Sequence, residues 1–195
     1  MGKLAHFNLD NMLRMFHLRH FVETGTGSGD SLRIACQQPF AQLWSCDIEP
    51  TLIASVQPTV ADDRVHLFVG RSVQMLDLLP AFPADEPILF WLDAHFPGAD
   101  CGLRGYGDES DEAIRLPLRE ELTLIKQHRP VNQDVIIIDD ARLWVDGPFQ
   151  LIREDLVPLC MPSERGVEFI VELFDASHSL TVVTDSEGYI VLTPK

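Results

Sequence analysis

In residues 20–30, His20-Phe21-Val22-Glu23-Thr24-Gly25-Thr26-Gly27-Ser28-Gly29-Asp30, a short apolar run ends in an acidic residue and three glycines follow at alternate positions. The apolar run predicts a strand and the glycines a tight turn. The residues from Asp30 to Cys36 then carry helical spacing, with Leu32, Ala35 and Cys36 on the buried side. Strand, glycine turn and helix in succession make the local geometry that holds a nucleotide-like ligand at the carboxyl edge of a parallel sheet.

Outward from this turn the chain alternates strands and helices. Upstream, Leu9, Met12, Leu13 and Phe16 share a helical face that Asn8 can cap, so residues 1–18 read as an amphipathic N-terminal helix. Arg14, His17, Arg19 and His20 are expected to form a solvated basic face. Downstream, Pro39 stops the helix and Ala41–Cys46 is a second strand closing in Asp47-Ile48-Glu49-Pro50, with a short helix from about Thr51 to Val56. Val65–Val69 is a third strand, and Ser72 is placed to cap a helix carrying Val73, Leu76 and Leu79. Pro87–Asp93, a continuous apolar run, predicts a strand buried on both faces. Residues 96–116 are rich in glycine and charge without periodicity, a candidate lid or acceptor-reading loop that includes Arg104 and Tyr106. Pro117 opens a helix with Leu118, Leu122 and Ile125 inward, and Val135–Asp140 is the clearest strand. After a loop with Trp144 come Leu151–Leu156, a helix with Val167, Ile170, Val171 and Phe174 inward, and a closing hairpin, Leu180–Thr184 and Tyr189–Thr193. The expected fold class is α/β: one Rossmann-like, doubly wound sheet over residues 1–195, mostly parallel, with a C-terminal antiparallel hairpin strand.

Length and composition bound the function. A chain of 195 residues supports one substantial core. No basic-then-apolar leader is visible and the longest apolar runs are strand-length, so a cytoplasmic protein with no membrane partner is expected. Cys36, Cys46, Cys101 and Cys160 are scattered without paired short spacing, which gives zinc and redox motifs little support. A net charge of −15 without a basic stripe argues against nucleic acid and for a small acceptor. A homodimer is left open.

A dinucleotide fingerprint needs a third glycine three positions after the second, and that position is Asp30, whose charge also opposes a pyrophosphate. Glu23 before the first glycine suits a ligand with an ammonium group. Asp47 ends the second strand where a carboxylate can accept hydrogen bonds from ribose hydroxyls, with Glu49 as the alternative. A second constellation lies at the ends of the fourth and fifth strands, Asp93-Ala94-His95 and Asp139-Asp140. Neighbouring strand ends would bring three carboxylates together, and a hard divalent cation relieves their repulsion. Helix capping and pairing with Arg142 or Arg119 are the structural alternative.

With these residues in place, the chain resembles the class I S-adenosylmethionine-dependent methyltransferases. Val22–Gly29 matches their first motif, Cys46–Pro50 the end of their second strand, and Val69-Gly70-Arg71-Ser72 the turn after their third. The resemblance implies that Glu23, Gly25, Thr26, Gly27, Ser28 and Gly29 hold the methionine part of S-adenosyl-L-methionine. It further implies that Asp47 with Ile48 binds the ribose, that Arg71 and Ser72 border the adenine, and that Asp93 touches the cofactor. Within that class the chain is similar to the cation-dependent O-methyltransferases of catechol and macrolide-sugar type. That likeness implies Asp93, Asp139 and Asp140 as Mg2+ ligands and a small hydroxylated acceptor, a sugar or diol. The catechol-type lysine after the first aspartate is missing, since His95, Phe96 and Pro97 follow Asp93. His95 is the candidate general base and Asp93 its catalytic neighbour, with water as the other proton acceptor and a structural histidine as the alternative. A metal-free methyltransferase using Asp93 and His95, and a non-catalytic binding module of the same fold, are the competing readings.

Overall fold

The computed structural model describes residues 3–130, 133–150, 152 and 154–195. Among them, seven strands form one sheet: β1 (His20–Thr24), β2 (Gln42–Asp47), β3 (Val65–Val69), β4 (Ile88–Leu92), β5 (Val135–Asp139), β6 (His178–Val183) and β7 (Tyr189–Pro194). Their spatial order is β3-β2-β1-β4-β5-β7-β6. The strands β1 to β5 are parallel, β7 joins antiparallel beside β5, and β6 pairs antiparallel with β7 at the sheet edge. The helices are α1 (Leu9–Phe16), α2 (Asp30–Cys36), α3 (Pro50–Val56), α4 (Ser72–Leu76), α5 (Glu112–Arg115), α6 (Leu118–His128), α7 (Val157–Cys160) and α8 (Glu168–Phe174).

Alternation along the strands builds two cores, one on each face. Phe21, Leu43, Leu89, Trp91, Val135 and Ile137 point to one side, where Leu9 of α1, Leu32 and Ala35 of α2 and Val56 of α3 cover them. Val22, Cys46, Phe90, Leu92, Ile136 and Ile138 point to the other, under Leu76 of α4, Leu122 and Ile125 of α6 and Ile170 and Phe174 of α8. This two-sided burial explains why β4 and β5 lack polar alternation: every residue of each is buried. From β1 the chain steps outward to β2 and β3, then returns to β4 on the other side of β1. The carboxyl ends of β1 and β4 therefore flank the switch point, where open α/β sheets form their ligand crevice.

Several local expectations are corrected. The N-terminal helix spans only Leu9–Phe16, capped by Asn8 Oδ1, which accepts from Asn11 N–H at 3.0 Å; a 3-10 turn precedes it at Leu4–His6. His20 is buried beneath the sheet end, where its Nε2 lies 2.6 Å from Glu86 Oε2, so it belongs to no solvated basic face. Ser72 is the first residue of α4 and Arg71 its cap, because Gln74 Oε1 accepts from Arg71 N–H. That helix stops at Leu76, and Leu79 falls in a 3-10 turn with Pro80, which offers no N–H to continue an α-helix. Val171 is 42% exposed, since Ile170 and Phe174 already define the inward face of α8. Of the expected Leu151–Leu156 element, Leu151 and Arg153 lie outside the described residues.

Candidate functional site

A cleft with an empty volume of about 870 Å3 opens at the switch point. Gly25, Thr26, Gly27 and Ser28 line it together with Asp47, Ile48, Arg71, Ser72, Asp93 and His95. Gly98, Asp100 and Cys101 of the 96–116 loop line it as well. Nine of the residues expected at the cofactor thus meet in one place. Glu23 and Gly29 do not line it.

The glycine turn is held by tertiary contacts. Gly25, Gly27 and Gly29 have φ of +83°, +51° and +79°. A Cβ on Gly25 would lie 2.3 Å from the carbonyl oxygen of Asp93, so a side chain is excluded where the β1 turn presses on the end of β4. Asp47 anchors the turn from the β2 side: its Oδ2 accepts from Gly27 N–H and its Oδ1 from Glu49 N–H, both at 2.9 Å. Burial raises the Asp47 carboxyl above its usual range, and these two backbone N–H groups pull it back. Asp47→Ala removes a charged acceptor from two backbone donors, so the affinity for S-adenosylhomocysteine that the family resemblance implies should fall by about 100-fold in calorimetric titration. A loss under threefold would show that the turn does not depend on Asp47.

Glu23 supports the turn from below. It is buried, Ser45 Oγ donates to its Oε2 at 2.5 Å, and Thr26 Oγ1 lies 2.6 Å from Ser45 Oγ. Burial pushes its pKa up to about 8 despite the Ser45 hydrogen bond. Asp30, by contrast, is exposed, takes hydrogen bonds from Ser28 Oγ at 2.8 Å and Arg33 Nη2 at 2.5 Å, and stays below the ordinary carboxylate range because of them.

At the ends of β4 and β5 one donor atom each from Asp93, His95 and Asp139 can be chosen so that all lie within 4.8 Å of one another. Asp140 stands differently. It occupies left-handed backbone at φ 56°, its Oδ2 is 2.9 Å from His95 Nε2, and its Oδ1 forms an ion pair with Arg142 Nε at 2.8 Å. His95 Nδ1 faces Asp93 Oδ1 at 3.4 Å. Burial opposes charge on the ring, but the hydrogen bond to Asp140 and the three surrounding carboxylates outweigh it and push the His95 pKa up to about 10. Burial also raises Asp93 strongly, with Asp139 adding to it, and lifts Asp139 to about 6. Burial works the same way on Asp140, yet His95 and Arg142 hold it below the usual range.

Two features escaped the sequence reading. Glu121 of α6 is buried and lines a smaller cavity behind His95 with Asp139, Leu143 and Trp144. Burial lifts its pKa to about 7, against hydrogen bonding from Ser72 and Thr24. Its signal was present: with Leu118, Leu122 and Ile125 inward, position 121 falls on the same helical face. The other is a pairing across the cleft rim, Arg104 Nη2 to Glu49 Oε1 at 2.6 Å, which ties the 96–116 loop to the start of α3. Among lid candidates, Tyr106 Oη donates to Asp100 Oδ1, and Trp144 is buried against Phe169.

No family model matches the chain, and no curated protein matches it in sequence. Solved structures match it in fold. A methyltransferase from Geobacter sulfurreducens superposes with a TM-score of 0.56 at 13% identity, covering 100% of this chain and 79% of that one. The O-methyltransferase TomG from Streptomyces achromogenes, involved in tomaymycin synthesis and solved with S-adenosylmethionine, gives 0.54 at 16% identity over 96% and 78% of the two chains. This is the class I methyltransferase fold. An O-methyltransferase from Bacillus cereus in complex with S-adenosylhomocysteine agrees, at 0.55, 13% identity, and 96% and 79% coverage. In this chain the glycine turn, Asp47 and Asp93 converge at the crevice of the switch point. No helix among the described residues is long and apolar enough to cross a membrane.

Proposed function

We propose that the protein is an S-adenosylmethionine-dependent O-methyltransferase that acts on a small hydroxylated acceptor, a sugar or diol, with help from a divalent cation. One observation carries this reading: the glycine turn, Asp47 and the Asp93–His95–Asp139 cluster line or adjoin a single cleft at the switch point. Two known structures of this fold were solved with the methyl donor or its product.

In this reading Gly25–Ser28 present backbone to the aminoacyl end of the cofactor, and Glu23 holds that turn in shape through Ser45 and Thr26. Asp47 takes the ribose hydroxyls while Arg71 and Ser72 border the base. Bound there, the cofactor supplies a sulfonium methyl group to an oxygen nucleophile. Two hard carboxylate donors and an imidazole within 4.8 Å fit a divalent cation, and Asp93 and Asp139 are the carboxylates that would hold it. Such an ion, Mg2+ on the family resemblance, supplies Lewis acidity that lowers the pKa of an acceptor hydroxyl. In this reading water takes the acceptor proton, a role supported by the two carboxylates that face the ring nitrogens of His95. Gly98, Asp100 and Cys101 of the 96–116 loop form one wall of the cleft, where the acceptor would be read.

The test is turnover of a panel of diols and sugars with labelled S-adenosylmethionine. Chelator should abolish it and added divalent cation restore it. Asp139→Asn should lower it by about 1,000-fold while S-adenosylhomocysteine affinity changes little. Turnover unchanged in chelator would leave methyl transfer standing and return Asp93 and His95 to direct acid and base roles. Tight cofactor binding without turnover on any acceptor would favour a binding module.

A further inference from the structure

The cation-dependent reading leaves the third protein ligand to be decided, and the geometry decides against the residue that sequence adjacency suggests. Asp140 follows Asp139 directly, but its two oxygens are directed elsewhere, one toward Arg142 Nε at 2.8 Å and the other toward His95 Nε2 at 2.9 Å. The left-handed backbone at Asp140 turns its side chain to that pair. The other ring nitrogen of His95 faces the cluster from the Asp93 side: Nδ1 lies 3.4 Å from Asp93 Oδ1, and His95 groups with Asp93 and Asp139 within 4.8 Å.

Resting on the cation-assisted reading, we infer that His95 binds the cation through Nδ1 alongside Asp93 and Asp139, and that Asp140 is a positioning residue for His95. Nε2–H donates to Asp140 Oδ2, which fixes the ring orientation and leaves Nδ1, the nitrogen that faces Asp93, free to coordinate. A carboxylate behind a metal-bound imidazole is the usual way that a ligating histidine is held and made more basic. Arg142 in turn holds Asp140, so the support runs Arg142, Asp140, His95. The donor set becomes two oxygens and one imidazole nitrogen. Imidazole favours transition ions, so Mn2+ and Co2+ should bind ahead of Mg2+, which prefers all-oxygen sites.

The inference is tested on the full chain by Mn2+ titration and by pulsed electron paramagnetic resonance of the Mn2+-loaded protein. The spectrum should show one directly coordinated imidazole nitrogen. His95→Gln should abolish that coupling. Asp140→Asn should keep it while weakening Mn2+ affinity by about 10- to 100-fold. Asp139→Asn should remove Mn2+ binding, with circular dichroism of each variant confirming the fold. Competition should need at least tenfold more Mg2+ than Mn2+. The inference is overturned by a wild-type spectrum without nitrogen coupling, by coupling that survives His95→Gln, or by Asp140→Asn losing Mn2+ as fully as Asp139→Asn. S-adenosylhomocysteine titration of the same samples separates the two readings. Cofactor binding without Mn2+ binding sinks the metal ligand set alone. Mn2+ with the nitrogen signature but no cofactor binding keeps the ligand set and sinks methyl transfer.

Discussion

Gly25→Ala should reduce S-adenosylhomocysteine affinity by at least about 100-fold and destabilise the fold by about 2–4 kcal/mol. Two separate obstacles meet at this position. The backbone sits at φ +83°, where an L side chain is strained, and the added Cβ would stand 2.3 Å from Asp93 O and 2.7 Å from Asp93 C. Those are backbone atoms of a strand end paired to β1, since Asp93 N–H donates to Thr24 O at 2.9 Å, so they have little room to retreat. Relief requires the β1 turn and the end of β4 to separate, which moves Asp93 relative to the turn and opens the cleft. Gly27→Ala is the internal control. Its φ of +51° carries similar strain, but its Cβ meets no protein atom within 4 Å, so stability should fall by only about 1 kcal/mol. Calorimetric unfolding and ligand titration of the two variants measure the difference. Equal stability for Gly25→Ala and Gly27→Ala would show that contact with Asp93 does not set the turn.

Glu23→Gln should stabilise the protein at alkaline pH and leave it nearly unchanged at pH 4. Burial raises the folded-state pKa of Glu23 from 4.5 to about 8. Below pH 4.5 the carboxyl is protonated folded or unfolded and costs nothing. Between 4.5 and 8 the unfolded chain releases the proton and the folded chain keeps it, so stability falls steadily as pH rises. The full difference corresponds to about 4–5 kcal/mol, reached above pH 8. Glutamine is neutral throughout and can still accept from Ser45 Oγ, so it lacks that pH-dependent loss. For a chain of this length the gain in Tm at pH 9 should be about 10 °C, shrinking toward zero by pH 4. Thermal unfolding of both proteins across pH 4–9 measures it. Parallel curves would mean that Glu23 ionises normally and that its pocket is wetter than the packing around Ser45 and Thr26 implies.

Much of the architecture was legible from short-range pattern. The apolar run 88–92 and the β-branched run 135–138 could be read as strands because a residue buried on both faces leaves no polar alternation to confuse the period. The glycine turn was legible because only glycine tolerates its backbone. Errors fell where long-range packing overrode local preference. His20 looked like part of a basic face and is instead buried against Glu86, 66 residues away. Glu23 matched a motif position, and the structure puts its carboxyl beneath the turn with Ser45 of the next strand. Glu121 sat on an apolar helical face, but what it would meet there, Ser72, Thr24 and the cavity behind His95, comes from three other elements.

By itself, the sequence determined that the chain builds a doubly wound α/β sheet, that a glycine turn follows its first strand, and that acidic residues end strands two, four and five. These are consequences of residue type and period, which act within a few positions. Only the tertiary structure decided which of those acids work together. Strand order places β1 between β2 and β4, so Asp47 and Asp93 flank one turn although 46 residues separate them. Side-chain direction at the end of β5 sends Asp139 toward Asp93 and turns Asp140 to Arg142 and His95. Adjacent residues in a strand point to opposite sides, and the left-handed turn at Asp140 then sets its direction. No spacing rule could have shown that two neighbouring aspartates face different partners.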